Sequence, residues 1–209
     1  MLFGRFIFIL LILTSLITGQ NIKVNIGPQA GLLSQAAHSK GVDQSANLGF
    51  ILGARCDLLI NKHGILSEIT YRRNSTNFAK IPEATKTDLT NSMIVYSQSY
   101  YFHFLQKGGF KINPLVGIDI LYLMNQEIGK YRVDYGYGYT GFSEKQEWEV
   151  NEFTFGVHFG IDFGIPIRDE TFHIKLVYDL VDQKIVEYSG FNITLCYSFE
   201  IYSKTAFQL

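Results

Sequence analysis

The sequence predicts an all-β protein, an eight-stranded antiparallel up-and-down β-barrel that crosses a membrane. Three observations indicate this fold: hydrophobic residues recur at every second position, eight such segments follow one another, and long and short connections alternate between them. A chain of 209 residues with 47% hydrophobic and 18% charged residues is long enough and apolar enough for one folded domain. Its formal net charge of -1 provides no basic surface, so no nucleic-acid partner is expected.

The N-terminal residues are typical of a secretory signal peptide. Arg5 closes a short basic start, residues 6–13 form an unbroken apolar run, and small residues precede Gln20. We expect residues 1–19 to be removed as a signal peptide and residues 20–209 to form the barrel domain. The alternative, an N-terminal membrane anchor, is disfavoured because the apolar stretch is shorter than the span of about 20 residues that a helix needs.

The period of two is clearest between Phe153 and Ile165. Every second residue there is Phe, Val or Ile, while Thr, Gly, His and Asp occupy the positions between them. A helical period of 3.6 residues cannot produce this alternation. The first predicted strand begins near Ile22, and the others cover residues 46–58, 65–73, 93–105, 110–124, 153–165, 172–180 and 191–199.

The connections between these segments fall into two length classes. Short turns of Gly, Pro and polar residues are predicted at 61–64, 106–109 and 166–170, and longer connections at 34–45, 74–90, 127–150 and 182–189. Outer-membrane barrels have short periplasmic turns on one rim and longer external loops on the other, whereas a soluble sandwich has no reason to sort its loops by length. The alternation therefore favours an outer-membrane location.

The polar residues of the strands lie opposite the apolar stripe, which indicates that the apolar side chains face lipid and the polar ones face the lumen. Because eight strands leave room only for side chains, we expect a narrow interior filled by a salt-bridged network, with no conducting pore. The candidate interior residues are Arg55, Asp57, Glu68, Arg72, Lys111, Asp119, His158, Asp162, Lys175, Asp179 and Glu200.

Aromatic residues concentrate at both ends of the predicted strands, as in the aromatic girdles of membrane barrels. At the periplasmic ends we place Phe102, Phe104, Phe110, Phe163, Phe172, Tyr197 and Phe199, and at the external ends Phe50, Tyr71, Tyr122, Phe153 and Phe191. The alternative is that aromatics are simply good strand formers.

Residues 136–141 match the GxGxxG spacing of dinucleotide-binding turns. That motif works only between a strand and a helix, and neither is predicted here, so we interpret it as the flexible tip of the longest external loop. The aromatic residues of this loop are the candidate partner-binding surface, although they can equally pack on one another: Tyr131, Tyr135, Tyr137, Tyr139, Phe142 and Trp148.

No catalytic, cofactor-binding or metal site is predicted. The five histidines are scattered without metal-ligand spacing, and no serine is placed beside a base. Cys56 and Cys196 fall on opposite faces of strands that are not neighbours, so their Cα atoms should lie beyond the roughly 7 Å reach of a disulfide. We therefore expect neither an enzyme nor a cofactor.

The sequence resembles the PorT-like outer-membrane β-barrel domain family of the Bacteroidetes group over essentially all of the mature chain. The resemblance rests on the signal ending near Gln20, glycine-containing first strands at 27–31 and 48–58, the Tyr100-Tyr101-Phe102 segment, and residues 114–119, 156–163 and 195–199. It implies a barrel of mostly unassigned role, with one branch linked to protein secretion across the outer membrane.

The expected function is accordingly a structural or interaction role in the outer membrane, as an accessory of protein secretion or of the envelope. Its expected partners are outer-membrane lipid and envelope or secretion-system proteins that contact the external loops. The alternative is a soluble lipocalin-like barrel that binds a small hydrophobic ligand, which requires the apolar faces to point inward. A third hypothesis, an outer-membrane hydrolase, lacks a recognisable catalytic cluster.

Overall fold

The computed structural model describes residues 21–38, 43–80, 85–107, 109–134, 138–167, 170–182 and 187–204. The predicted signal peptide, residues 1–19, lies outside these ranges, as do Tyr135 and Tyr137 of the candidate loop. Among the described residues there is no helix that is long and apolar enough to cross a membrane.

Nearly all described residues form strands. The strands are β1 (Ile22–His38), β2 (Asp43–Ile60), β3 (His63–Lys80), β4 (Thr85–Phe102), β5 (Leu105–Lys107), β6 (Phe110–Asp134), β7 (Gly138–Ile167), β8 (Glu170–Asp182) and β9 (Glu187–Lys204). β5 has three residues and pairs only with the start of β6. The eight other strands are long and correspond one to one with the eight predicted segments, so the predicted all-β class is confirmed.

The sheet closes on itself as an antiparallel barrel. Each long strand pairs with its neighbours in the chain, and β1 pairs with β9. Following register partners once around the sheet gives Ile26, Cys56, Ser67, Gln98, Ile118, Val157, Leu180, Ser189 and then Ala36. The path thus returns to β1 ten residues beyond its start, a stagger that tilts eight strands by about 40° from the barrel axis.

The period of two decides which side chains face inward. On β8, Lys175, Val177 and Asp179 are buried, whereas Leu176 and Leu180 are exposed. The same alternation runs along the other long strands, so the exposed face is mainly apolar and the buried face carries most of the polar side chains. A small apolar cluster occupies part of the interior and consists of Leu59, Leu66, Tyr101, Leu115 and Val177.

The connections at one rim, which we call the turn rim, are tight. β2 and β3 are joined by Asn61 and Lys62 alone, and Asn61 has a φ of 57°, a conformation that Asn tolerates better than most residues. The Asn61 amide donates to the Asn21 carbonyl oxygen at 2.9 Å, which ties this turn to the start of the first strand. Gly109, with a φ of 83°, lies between β5 and β6.

The connections at the opposite rim, the loop rim, differ from the prediction. The segment 127–150, predicted as a long loop, instead continues β6 to Asp134 and begins β7 at Gly138. Tyr131 pairs with Phe142 in this extension. The loops predicted at 34–45, 74–90 and 182–189 are likewise shortened by strand residues, because cross-strand hydrogen bonding continues where the hydrophobic alternation has stopped.

The predicted GxGxxG turn lies partly in this hairpin. Gly138, Tyr139, Thr140 and Gly141 belong to β7, so the second half of the motif is strand and not the start of a helix. This backbone cannot present a helix N-terminus to a pyrophosphate. The interpretation as a flexible loop tip is therefore wrong for residues 138–141.

Closure between β1 and β9 can be tested by a disulfide. Leu32 and Ile193 are register partners on the outer face, and such partners have Cα atoms about 4.5–5.5 Å apart, within disulfide reach. In a background with Cys56→Ser and Cys196→Ser, we expect the Leu32→Cys and Ile193→Cys pair to cross-link under mild oxidation, as read by peptide mass spectrometry. The pair Leu32→Cys and Leu195→Cys, two residues out of register, is the control. Equal cross-linking of the two pairs would contradict the assigned closure.

Candidate functional site

The structure places the candidate interior residues in three positions. Nine are buried on the inner face: Arg55, Asp57, Glu68, Arg72, Asp119, His158, Asp162, Lys175 and Asp179. Lys111 is only half-buried near the turn rim. Glu200, predicted to lie inside, is exposed and pairs with Lys23 at 2.6 Å. It lies beyond Ser198, where the pairing of β9 with β8 ends, so it is at the turn-rim end of the barrel and open to solvent.

Three ion pairs cross the lumen. Arg55 on β2 contacts Asp162 on β7 through two hydrogen bonds of 3.3 and 3.4 Å. Arg72 on β3 contacts Asp179 on β8 at 2.7 Å. Lys175 on β8 contacts Glu68 on β3.

In the order of strands around the barrel, β2 lies four places from β7 and β3 lies four places from β8, so each pair joins opposite walls. These bridges fill the centre of the barrel. No continuous aqueous path is expected between them, because eight strands leave only enough width for side chains.

The turn-rim half of the interior is organised around Asp162. His173 Nδ1 lies 2.9 Å from Asp162 Oδ2, and the Asn113 amide donates to the same oxygen at 3.3 Å. The Tyr101 hydroxyl donates to Asp57 at 2.5 Å, and Asp57 lies 3.8 Å from Arg55. Each buried charge in this half therefore has a partner of opposite charge or a hydrogen bond, as buried polar groups require.

The loop-rim half contains a second cluster, built from β4, β6, β7 and β8. His158 Nδ1 lies 3.0 Å from Asp119 Oδ2, and His158 Nε2 lies 2.7 Å from the Ser99 hydroxyl oxygen. The Ser97 hydroxyl donates to Asp119 at 2.5 Å. The ligand-type atoms of Asp119, His158 and Asp179 all lie within 4.8 Å of one another, whereas the sequence had predicted no metal-ligating group.

Sequence reasoning missed several members of these clusters. Five further residues occupy inward positions and bond to the candidate interior residues: His173, Asn113, Tyr101, Ser97 and Ser99. The period of two places His173 and Asn113 on the polar face of their strands, and it could have indicated the inner face for the other three. It could not have indicated their partners.

His103 lies outside the strands at the turn rim, between β4 and β5. Its Nδ1 contacts Asn113 Oδ1 at 2.5 Å. Burial lowers the pKa of His103 by disfavouring the charged imidazolium, and the Asn113 contact opposes that shift only in part.

The outer face forms an apolar belt. Phe153, Phe155, Phe191 and Leu48 are each more than 65% exposed, which is unusual for aromatic and aliphatic side chains of a protein in water. Neighbouring rings contact one another across strands, as in the pairs Phe50–Tyr71, Tyr122–Phe153, Phe159–Tyr178 and Tyr178–Phe191. A contiguous belt of this kind is the surface that hydrocarbon would cover.

The predicted separation of the two cysteines agrees with their positions. Cys56 is exposed on the outer face, Cys196 is buried on the inner face, and both are free. An apolar pocket of about 450 Å³ opens beside Cys56 on the outer face, with Ile26, Pro28 and Phe199 in its lining.

The candidate partner-binding residues are only partly covered by the structure. Tyr131 lies on β6, and Tyr139, Phe142 and Trp148 lie on β7, where Trp148 is the register partner of Gln126. These residues therefore belong to a hairpin that continues the barrel wall. Tyr135 and Tyr137 lie outside the described residues.

The sequence matches no protein-family model and no curated protein sequence. Among solved structures, the chain is similar to Ail, the attachment invasion locus protein of Yersinia pestis, with 14% identity and a TM-score of 0.49 over 87% of this chain and 100% of that one. It is similar to the outer membrane protein OprG from Pseudomonas aeruginosa, with 9% identity and a TM-score of 0.47 over 90% and 98%. It is also similar to Neisserial surface protein A, with 16% identity and a TM-score of 0.43 over 83% and 95%.

Removing one partner of the Glu68–Lys175 bridge should lower the free energy of unfolding more than removing both partners. Lys175→Met leaves Glu68 charged and unpaired in the interior, so we expect the free energy of unfolding to fall by about 3–5 kcal/mol. Adding Glu68→Leu removes the unpaired buried charge, so the double variant should regain most of the lost free energy of unfolding. Urea unfolding in lipid vesicles measures both variants. A single variant as stable as the wild type would show that the pair is not formed.

Proposed function

We propose that the protein is a small outer-membrane β-barrel with a structural or interaction role. The observation that carries this proposal is the sidedness of the closed sheet, with an apolar belt outside and charged pairs inside. In hydrocarbon every backbone polar group needs an internal partner, and a closed barrel supplies one to each strand. In a membrane, lipid hydrocarbon would cover the apolar side chains of the outer belt.

The finer part of the proposal concerns the role in the envelope. The resemblance to PorT-like barrels supports an accessory of protein secretion or of envelope function. The extension of β6 and β7 beyond the other strands supports the same idea, because it projects the Tyr131, Tyr139, Phe142 and Trp148 segment at the loop rim. Envelope or secretion-system proteins are the proposed partners of that segment.

The structure supports the lipocalin-like alternative less well than the membrane barrel. A lipocalin holds its ligand in an interior cavity, so the apolar residues should point inward. Here the inner face carries Arg55, Asp162 and Lys175 in its centre, and the apolar pocket near Cys56 opens on the outside. An apolar ligand in this interior would have to displace three ion pairs.

A non-enzymatic role is part of the proposal. The buried His–Asp pairs, His158 with Asp119 and His173 with Asp162, each contact a serine hydroxyl. Both serines, Ser99 and Ser198, are buried inside the barrel. Buried hydroxyls are poorly placed to meet a substrate, so these arrangements support structural hydrogen bonding rather than hydrolysis.

Membrane location is tested by fractionation. We expect the protein in the outer-membrane fraction, extractable only with detergent, and migrating differently on a gel before and after boiling because the closed barrel resists unfolding in detergent. A soluble protein without a mobility change would refute the proposed location and direct attention to an inverted barrel.

Depth in the belt is tested by a matched pair of arginine substitutions. Ile69 and Ile201 are similarly exposed on the outer face, at 60% and 58%. Ile69 lies six residues from the turn-rim end of β3, whereas Ile201 lies three residues from the end of β9. Ile69→Arg should lower the free energy of unfolding in bilayers by about 2–4 kcal/mol, and Ile201→Arg by about 0–1 kcal/mol. Equal effects, measured by urea unfolding in vesicles, would contradict a lipid-facing belt.

The lumen is expected not to conduct. Three ion pairs join opposite walls of a narrow eight-strand interior, so we expect wild-type protein in planar bilayers to give no stable single-channel steps. A reproducible conductance would contradict the closed interior. The control is a porin reconstituted under the same conditions, which should conduct.

A further inference from the structure

The loop-rim half of the interior holds three clustered residues for which the proposed function assigns no ligand. Asp119, His158 and Asp179 lie on β6, β7 and β8, three consecutive strands of the barrel. His158 and Asp179 are direct register partners, and Asp119 lies two residues along β6 from Gly117, the other register partner of His158. All three side chains are buried on the inner face.

We propose that Asp119, His158 and Asp179 form a binding site for one divalent transition-metal ion on the inner wall of the barrel, with Zn²⁺ as the representative ion. One nitrogen and two carboxylate oxygens are a ligand set that suits zinc and its first-row neighbours, whereas Ca²⁺ and Mg²⁺ prefer oxygen ligands alone.

The spacing of the three residues fits such an ion. Ligand atoms around a tetrahedral ion with bonds of about 2.0–2.2 Å lie about 3.3–3.6 Å apart. Asp119 Oδ2 and His158 Nδ1 are 3.0 Å apart, and the ligand atom of Asp179 lies within 4.8 Å of both. These separations bracket the spacing expected around a bound ion.

The atoms not needed for ligation are held by other residues. Ser99 contacts His158 Nε2, and Ser97 donates to Asp119 Oδ1. Arg72 and Asn192 both donate to Asp179 Oδ2 at 2.7 Å. Metal ligands in proteins are oriented by hydrogen bonds of this kind, which fix the ring tautomer and the carboxylate plane.

Asp179 provides an independent observation. Its Oδ1 atom is fully buried and, within the described part of the chain, has no hydrogen-bond donor. A buried carboxylate oxygen without a partner is unfavourable, and it lies on the residue that completes the cluster. A cation at this position would satisfy it.

The charges around the cluster also favour a cation. The carboxylates of Asp119 and Asp179 face one guanidinium, that of Arg72, and the other titratable neighbours are His158 and Lys175. Lys175 is already bound to Glu68. Across the buried residues of the described chain, the carboxylates Asp57, Glu68, Asp119, Asp162 and Asp179 outnumber the cations Arg55, Arg72 and Lys175, five to three. Arg72 opposes a second cation nearby but is already bound to Asp179 Oδ2.

The neighbouring glycines make room for the cluster. A Cβ atom on Gly117 would lie 2.5 Å from His158 Nε2, and one on Gly156 would lie 3.6 Å from the Cβ atom of Asp119. A larger residue at position 117 would push the imidazole out of its place. The wall is thus shaped around the histidine ring.

The test is zinc retention by the full mature chain, refolded in detergent with Zn²⁺ and then passed over a desalting column. We expect about one Zn²⁺ per folded chain by elemental mass spectrometry. Asp179→Asn and His158→Gln should weaken binding by about 100-fold or more, since even partners of metal ligands are worth about 10–100-fold. Mg²⁺ should not compete at equal concentration.

The matched control is His173→Gln. It removes the other buried His–Asp pair, which has no second carboxylate at ligand distance among the residues that the structure describes, and it should leave zinc retention unchanged. Gel mobility of unboiled samples shows whether each variant is folded. If Asp179→Asn and His158→Gln fail to fold, Co²⁺ bound to the wild-type chain supplies the readout, since visible bands typical of a four- or five-coordinate ion with nitrogen and oxygen ligands support the site.

Two results would overturn the proposal. One is a folded wild-type chain that retains neither Zn²⁺ nor Co²⁺, particularly if Asp179→Asn is then more stable than the wild type, because a shared proton would explain the unpartnered oxygen. The other is equal zinc retention by the wild type and Asp179→Asn. Either result leaves the proposed outer-membrane role untouched.

Discussion

Backbone hydrogen bonding around a closed ring of eight strands is the constraint on which the rest of the structure depends. Once β1 pairs with β9, each of the eight long strands has a paired neighbour on both sides, and each residue in the paired part of a strand must face either outward or inward. The stagger of ten residues then determines which inward residues meet across the lumen. Side-chain chemistry follows from that geometry: an apolar belt outside and paired charges inside.

The interior shows how a narrow barrel can hold many charges. Replacing a buried ion pair by apolar groups is often neutral or stabilising, so the three bridges across the lumen are weak evidence for stability by themselves. We interpret them instead as interactions that favour one strand register. Arg72 can reach Asp179, and Arg55 can reach Asp162, only when the strands pair in that register. A strand slip of one residue would turn these charges to the outer, apolar face.

The sequence predicts the strands and their faces well because the period of two is a local property. Residues 153–165 alternate without interruption, and the outer side chains among them, such as Phe155 and Phe159, are exposed as the pattern requires. Strand ends were harder to predict. β6 and β7 extend through residues 127–134 and 138–150, where polar side chains hide the alternation and cross-strand pairing decides the structure.

The partners inside the barrel could not be predicted from the sequence. Lys175 and Glu68 are 107 residues apart, and they meet only because β3 and β8 lie on opposite walls after closure. The Asp119, His158 and Asp179 cluster is a similar case, since no motif spacing joins residues on three different strands. Glu200 illustrates the limit of the period of two, which gives the face of a residue but not its height along the barrel axis.

The sidedness of the sheet is tested most directly by photolabelling the wild-type protein in lipid vesicles with a carbene precursor dissolved in the bilayer. On β8 we expect label on Ile174, Leu176, Tyr178 and Leu180, located by peptide mass spectrometry, and none on Val177 or Val181, which are equally apolar but face the lumen. Label on Val177 and Val181, or label without a period of two, would contradict a lipid-facing outer belt.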